Sequence, residues 1–133
     1  MSQLTLGLAI ATSIWTGTAA ERQAIVCPVP VSDRCLRRMR HAQRFDRALA
    51  AWRKHRRNAT KPWRGWLYST RMCESHSNYR IDSYYDGAYQ FSLSTWRSVG
   101  GRSLPYLNPP LEQDYRAVLL VTTGGTGHWP VCG

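Results

Sequence analysis

The four cysteines are the feature that most constrains how this 133-residue chain folds. An even number of cysteines in a short chain is typical of proteins that fold in an oxidising compartment and depend on disulfide bonds. We expect Cys27 to pair with Cys35, and Cys73 with Cys132. In the chain-entropy model, closing the long loop between Cys73 and Cys132 contributes about 4 kcal/mol, a large share of a small domain's stability. The length allows one such stapled core, and we expect one functional site.

Positive charge is concentrated in the first half of the chain. The formal net charge is +10, and residues 21–66 hold 13 of the 18 lysines and arginines but only three acids. Residues 67–133 hold five basic and five acidic side chains, so that half is neutral. This split predicts a basic N-terminal segment ahead of a neutral core.

The first 20 residues have the composition of an export signal. They contain no charged side chain, include an apolar stretch from Leu4 to Ile14 and end in the small residues Thr18, Ala19 and Ala20. We expect residues 1–20 to be a cleaved signal peptide and the protein to be secreted to the cell wall. The missing basic residue near Met1 leaves a retained anchor or a misassigned start as alternatives, and the apolar run is short for a membrane span.

Hydrophobic periodicity predicts a basic amphipathic helix from about Asp33 to His55. At 100° per residue, its apolar side chains share one side of the helix and its basic side chains lie opposite. The apolar set is Ala42, Phe45, Ala48, Leu49 and Trp52, and the basic set is Arg40, Arg44, Arg47 and Lys54. The segment from Asn58 to Pro62 is expected to end this helix.

Three more helices are predicted downstream. The first runs from Gly65 to Glu74, and the second runs from an N-cap at Ser92 to Val99. The third begins at an Asn108 N-cap and ends near Gly124 and Gly125. Between the first two, residues 77–87 are rich in turn formers and aromatics, which favours a short irregular β-hairpin.

Glu74 is the strongest candidate for an acid catalyst. It lies at a predicted helix end, directly beside Cys73 and ahead of the aromatic loop. Partial burial there disfavours the charged carboxylate, raises its pKa and keeps a proton available near neutral pH. On composition alone, a solvated surface glutamate is the commoner alternative.

Several separate blocks of residues 63–133 resemble one protein family in order and spacing. They are Cys73-Glu74-Ser75, Asn78-Tyr79, Tyr85-Asp86-Gly87-Ala88-Tyr89-Gln90-Phe91, Ser94-Thr95-Trp96, Gly100-Gly101 and Trp129-Pro130-Val131-Cys132-Gly133. Together they resemble the actinobacterial resuscitation-promoting factor family of transglycosylase-like domains. The resemblance implies a catalytic domain over residues 63–133 and leaves residues 21–62 outside it as a basic helical extension. In two respects this chain departs from the family pattern. The stretch between Asn78 and Tyr85 is shorter than in many members, and His76 and Ser77 stand where glycines are usual.

The resemblance implies an α+β fold: a small, mainly helical, lysozyme-like domain with a short β-hairpin, stapled by disulfides. It implies that Glu74 is catalytic and that a sugar groove is lined by side chains of the matching blocks. The candidates for substrate binding are Asn78, Tyr85, Asp86, Tyr89, Gln90 and Trp96. For Tyr89 and Trp96 the alternative is packing in the core, and for Asp86 it is a turn-forming role.

The implied substrate is the glycan strand of bacterial peptidoglycan, cut at β-1,4 MurNAc-GlcNAc bonds. Hydrolysis requires a second carboxylate, as base or nucleophile, and the candidates Asp82, Asp86, Glu112 and Asp114 form no recognisable second motif. A lytic transglycosylase needs one acid, because the substrate's own 6-hydroxyl attacks. We therefore favour transglycosylation over a muramidase reaction, with no cofactor or metal and a monomeric enzyme.

Other functions remain open on the sequence alone. Cys73, His76, His128 and Cys132 have a spacing that a zinc site could use, although export favours a disulfide. The basic segment 34–57 suits anionic cell-wall polymers, an acidic membrane surface or a solvated helix face, and export argues against nucleic acid. A non-catalytic wall-binding module and a cationic membrane-active protein are the rival classes.

Overall fold

The computed structural model describes residues 26–133. The signal peptide expected over residues 1–20 lies outside the described residues. The chain divides into two compact units at Leu49 and Ala50, and each is described separately below. Residues 50–62, which we assigned to the extension, therefore group with the C-terminal unit. No helix in the described range is long and apolar enough to cross a membrane.

The described part is mainly helical. Its α-helices are α1 (Asp33–Thr60), α2 (Arg64–Ser75), α3 (Leu93–Ser98) and α4 (Pro110–Gly124). Three short 3-10 turns accompany them, at Lys61–Trp63, Pro105–Leu107 and Thr126–His128. The helical character and the two disulfides of the expected fold are confirmed.

Both predicted disulfide pairings are confirmed. Cys27 bonds to Cys35 in the N-terminal unit, and Cys73 bonds to Cys132 in the C-terminal unit. The second bridge joins the last turns of α2 to the end of the chain across 59 positions of sequence. It therefore closes residues 73–132 of the C-terminal unit, which spans residues 50–133, into one loop.

Helix α1 extends further than predicted. It continues through Thr60, whose hydroxyl donates to the carbonyl of Arg56 at 2.9 Å. Pro62 then falls in the first positions of the following 3-10 turn, where its missing N–H removes no helical hydrogen bond. The predicted break at Asn58 was therefore wrong.

The other helix ends follow the predicted capping residues closely. Ser92 caps α3 by accepting a hydrogen bond from the backbone N–H of Thr95 at 3.2 Å. Helix α4 begins one residue later than expected, with Pro109 rather than Asn108 at its N-cap. The Asn108 amide instead donates to the carbonyls of Arg102 and Leu104, which fixes the loop before the helix.

The predicted β-hairpin is not confirmed. In the described residues, its segment contributes one isolated antiparallel bridge, between Asp86 and Phe91. The backbone between them is satisfied by distant side chains instead of a strand partner. Gln113 accepts from the Ala88 N–H at 3.0 Å, and the Trp129 indole donates to the Tyr89 carbonyl at 2.8 Å. Because these partners replace a ladder, the segment is a folded loop.

An aromatic cluster forms the core of the C-terminal unit. The buried apolar residues are Leu67, Ala88, Tyr89, Phe91, Trp96, Ala117, Val118, Leu120, Val121 and Trp129. Trp129 makes edge contacts with Trp66, Tyr89 and Phe91, at ring-centroid distances of 5.2 to 6.3 Å. This packing ties α2, the 86–91 loop and the C-terminus together, and so holds the loop beside the end of α2.

Candidate active site

Glu74 lies in the last turn of α2, next to the disulfide-bonded Cys73. The helix ends at His76, which adopts a left-handed conformation with φ of 54°. The N–H of His76 donates to the Met72 carbonyl, and that of Ser77 to the Arg71 carbonyl, at 3.1 and 3.0 Å. The backbone therefore turns sharply at His76 and Ser77, beginning two residues after the candidate acid.

The departure from the family pattern at residues 76 and 77 has a structural cost. Both His76 and Ser77 have positive φ, 54° and 60°, in the left-handed region that favours glycine. Ser77 gains some compensation, because its hydroxyl accepts from the Arg71 side chain at 3.2 Å. The chain thus retains the turn that glycines would form, at the expense of backbone strain.

Burial raises the pKa of Glu74. The side chain is half-buried and makes no hydrogen bond within the described part of the chain, so desolvation is not offset by a donor. The negative end of the α2 dipole also disfavours an ionised carboxylate in this position. These effects favour a protonated Glu74, as general-acid chemistry requires.

Ser75 links the candidate acid to the loop that follows it. Its buried hydroxyl donates to the Ala88 carbonyl at 2.7 Å and accepts from the Asn78 N–H at 3.1 Å. The residue directly after Glu74 is therefore bonded to the Gly87–Phe91 block. This bond holds together two of the sequence blocks of the predicted site.

The six candidate binding residues separate into exposed and buried groups. Tyr85 is half exposed and packs edge-on against Tyr84, Asn78 is exposed, and Gln90 is partly buried with its amide donating to the Gly87 carbonyl. These three have surface to offer a ligand.

Tyr89, Trp96 and Asp86 are buried. Tyr89 and Trp96 are fully enclosed in the aromatic core, so core packing, the alternative anticipated for both rings, is what the structure shows. The Asp86 carboxylate accepts from the Ser83 N–H at 2.9 Å, which is a turn-forming role. None of the three presents a face to a sugar in this structure.

A shallow depression lies beside this loop. It has a volume of about 70 Å³, and its lining includes Tyr85, Gln90 and His128 but not Glu74. This volume is far below the range of about 300 Å³ or more typical of pockets that enclose a ligand. The depression is therefore too small to enclose a ligand, and it does not include the candidate acid.

Two of the other carboxylates of the C-terminal unit are already engaged. Glu112 is buried between Arg56 and Arg116 in a three-residue ion-pair cluster. Asp114 accepts from the hydroxyls of Tyr79 and Tyr89, at 2.7 and 2.6 Å.

Asp86 caps its own turn, whereas Asp82 is exposed. In the described residues of this unit, Glu74 is the half-buried carboxylate without a hydrogen-bond donor. Exposed Asp82 is the one other carboxylate there that is free to act as a base or nucleophile.

Sequence analysis did not single out Gln113, which organises the loop around the site. Its buried amide accepts from Ala88 and donates to the carbonyls of Tyr79 and Asn108, each at 3.0 Å. A signal was present, since Gln113 shares the apolar face of α4 with Ala117 and Leu120 at helical spacing. A glutamine at a core position indicates backbone groups that need a partner.

The two cysteines of the alternative zinc site are not available as metal ligands. Cys73 and Cys132 are joined in a disulfide, so neither offers a thiolate. Across residues 26–133, no cluster of three or more histidines, cysteines and carboxylates is placed to hold a metal ion.

Comparison with known proteins relates this domain to one protein family. Residues 68–132 match the model of the transglycosylase-like domain family. That part of the chain is therefore similar to this family, in agreement with the resemblance found in the sequence.

A curated relative agrees with the family match. The resuscitation-promoting factor Rpf of Micrococcus luteus is 40% identical over 63 residues, which cover 45% of this chain and 28% of that protein. The match therefore spans less than a third of the relative's length. No solved structure matches the chain.

Proposed function

We propose that the chain is a peptidoglycan lytic transglycosylase that cuts β-1,4 MurNAc-GlcNAc bonds with Glu74 as its single acid and base. The observation that carries this proposal is that Glu74 is half-buried, has a raised pKa and lacks a hydrogen-bond donor, within a domain of the transglycosylase-like family. The relation to an Rpf and the two disulfides favour an extracellular site of action, reached through the expected signal peptide over residues 1–20.

The proposed reaction needs no second carboxylate. Protonated Glu74 donates its hydrogen to the bridging oxygen, the bond from that oxygen to the MurNAc anomeric carbon breaks, and the GlcNAc hydroxyl leaves. The Glu74 carboxylate then takes the proton from the 6-hydroxyl of the same MurNAc as its oxygen bonds to the anomeric carbon. The products are a 1,6-anhydromuramyl end and a regenerated acid, and no water is consumed.

The occupied state of the other carboxylates supports this choice over hydrolysis. If Asp114 left its present partners, two tyrosine hydroxyls would lose their acceptor. If Glu112 left its partners, two guanidinium groups would lose their ion pair. Asp82 is exposed, which makes it the one remaining candidate for a water-activating base. It therefore provides the decisive control.

Substrate contacts are proposed for the exposed residues of the site. Tyr85 offers a ring face to a pyranose, and the Asn78 and Gln90 amides suit the acetamido groups of the glycan. Tyr89 and Trp96 support this surface from the core, and Asp86 holds the turn.

The test compares fragment release from purified peptidoglycan by wild type, Glu74→Gln and Asp82→Asn. We expect Glu74→Gln to lose at least about a hundredfold in rate, because proton transfer contributes that much or more. Asp82→Asn should keep near wild-type activity. Sedimentation with insoluble peptidoglycan measures binding separately: an equal release of fragments by Glu74→Gln would overturn the proposal, and binding without any cleavage by wild type would identify a wall-binding module.

A further inference from the structure

Four arginines form a row on one side of α1. Arg37, Arg40, Arg44 and Arg47 follow one another at spacings of three, four and three residues. At 100° and 1.5 Å per residue, they fall within an arc of about 80° and extend for about 15 Å along the helix. All four are exposed. We call them the arginine row.

The arginine row makes no contact within the described residues through which it would stabilise the fold. Across residues 26–133, these four guanidinium groups make no hydrogen bond or ion pair. Arg56 of the same helix shows the contrast, because it pairs with Glu112 and stacks on the rings of Trp52 and Tyr115. Like charges three and four residues apart destabilise a helix by about 0.2–0.5 kcal/mol per pair, so the row is unfavourable without a ligand.

The residue type favours phosphate as the ligand group. All four positions are arginine, as are 16 of the 18 basic side chains of the chain. The planar guanidinium group binds two oxygens of one phosphate at once, which an ammonium group cannot do. A straight row of such groups suits a linear polymer with repeated phosphates.

The rest of the helix argues against a membrane surface. A helix that lies in a membrane interface requires a continuous apolar face opposite its basic one. Here Arg38 lies at the same angular position as Phe45 and Leu49 and interrupts that face. Arg38 is also exposed.

We infer that the arginine row binds a linear phosphodiester polymer of the bacterial cell wall and so holds the protein at its site of action. Binding to a soluble polymer does not involve Glu74. Polymer binding can therefore be disproved while the proposed cleavage holds, and the proposed cleavage can be disproved while polymer binding holds.

The test measures binding of poly(glycerol phosphate) to the full chain by calorimetry at several salt concentrations. In the row variant, Arg37, Arg40, Arg44 and Arg47 are all changed to Gln. The matched control changes four exposed arginines of the C-terminal unit to Gln: Arg64, Arg80, Arg97 and Arg102. Both variants lose the same charge.

We expect the row variant to bind at least about tenfold more weakly at low salt. The slope of log affinity against log salt concentration should also become shallower by about three. The control should stay within about twofold of wild type. A third variant with lysine at the four row positions should bind more weakly than wild type, and circular dichroism checks that each variant is helical.

Equal losses in the row variant and the control would overturn the inference, because net charge alone would explain them. Equal binding of a polyuronate of the same charge density would also overturn it, since phosphate would then not be recognised. So would binding to anionic lipid vesicles, or to a single-stranded nucleic acid, that is tighter than binding to poly(glycerol phosphate).

Discussion

Removing the Cys73–Cys132 disulfide should destabilise the C-terminal unit far more than removing the Cys27–Cys35 disulfide. The longer bridge closes a loop of 59 positions around the aromatic core, whereas the shorter one closes eight positions in the other unit. Cross-links act mainly by restricting the unfolded chain, and that restriction grows with loop length. The two bridges therefore form a matched pair within one protein.

The loop lengths set the expected size of each effect. The chain-entropy relation gives about 4.3 kcal/mol for the long loop and about 2.5 kcal/mol for the short one at 25 °C. A domain stability of about 5–15 kcal/mol makes the first value a third or more of the total. For a unit of this size it corresponds to a fall of roughly 15–30 °C in the melting temperature.

The assay is urea unfolding followed by tryptophan fluorescence, since Trp66, Trp96 and Trp129 report on the C-terminal core. We expect Cys73→Ala with Cys132→Ala to lose about 4 kcal/mol, and Cys27→Ala with Cys35→Ala to leave this transition within about 0.5 kcal/mol of wild type. Equal losses for the two variants would refute the reasoning, as would a loss below about 1 kcal/mol for the long bridge.

Four further changes probe the site, each measured by chemical unfolding. His76→Gly should stabilise by about 1 kcal/mol, because glycine adopts the left-handed conformation without strain. Asp114→Ala should cost about 3 kcal/mol, since two charge-assisted hydrogen bonds are lost. Gly101→Ala should cost about 1–3 kcal/mol, because an added Cβ overlaps the Trp96 ring. The raised pKa of Glu74 adds stability at low pH that is lost as pH rises through it, so Glu74→Gln should match wild type at low pH and exceed it above neutral.

Each of these expectations has a clear contrary result. A destabilised His76→Gly variant would show that the imidazole has a role the backbone does not reveal. An Asp114→Ala variant as stable as wild type would mean that the tyrosine hydroxyls find other partners. An unaffected Gly101→Ala variant would contradict the close packing on Trp96. Equal stability of wild type and Glu74→Gln at every pH would place the Glu74 carboxylate in full solvent.

Local sequence signals predicted the helices well. Ser92 and the glycines at 124 and 125 mark true helix ends, because capping is decided by neighbouring residues. The end of α1 was missed, since Pro62 is tolerated in the first turn of a new helix. The hairpin was wrong for a different reason: the partners of its backbone, Gln113 and Trp129, lie far along the chain.

The candidate site was only partly predictable from the sequence. Glu74 and Ser75 stand out because they adjoin a cysteine in a recognisable block, and the structure places them at the helix end expected. Whether an aromatic residue such as Tyr89 or Trp96 faces ligand or core depends on tertiary packing, which a list of aromatics does not encode. The same applies to Asp114, whose two tyrosine partners, Tyr79 and Tyr89, lie in the distant segment between α2 and α3.

The most direct test of a one-carboxylate mechanism is to digest purified peptidoglycan in water labelled with heavy oxygen and to identify the new chain ends by mass spectrometry. If the substrate's own hydroxyl attacks, wild type will release unlabelled 1,6-anhydromuramyl ends and Glu74→Gln will release none. Reducing ends that carry heavy oxygen, or unchanged products from Glu74→Gln, would contradict it.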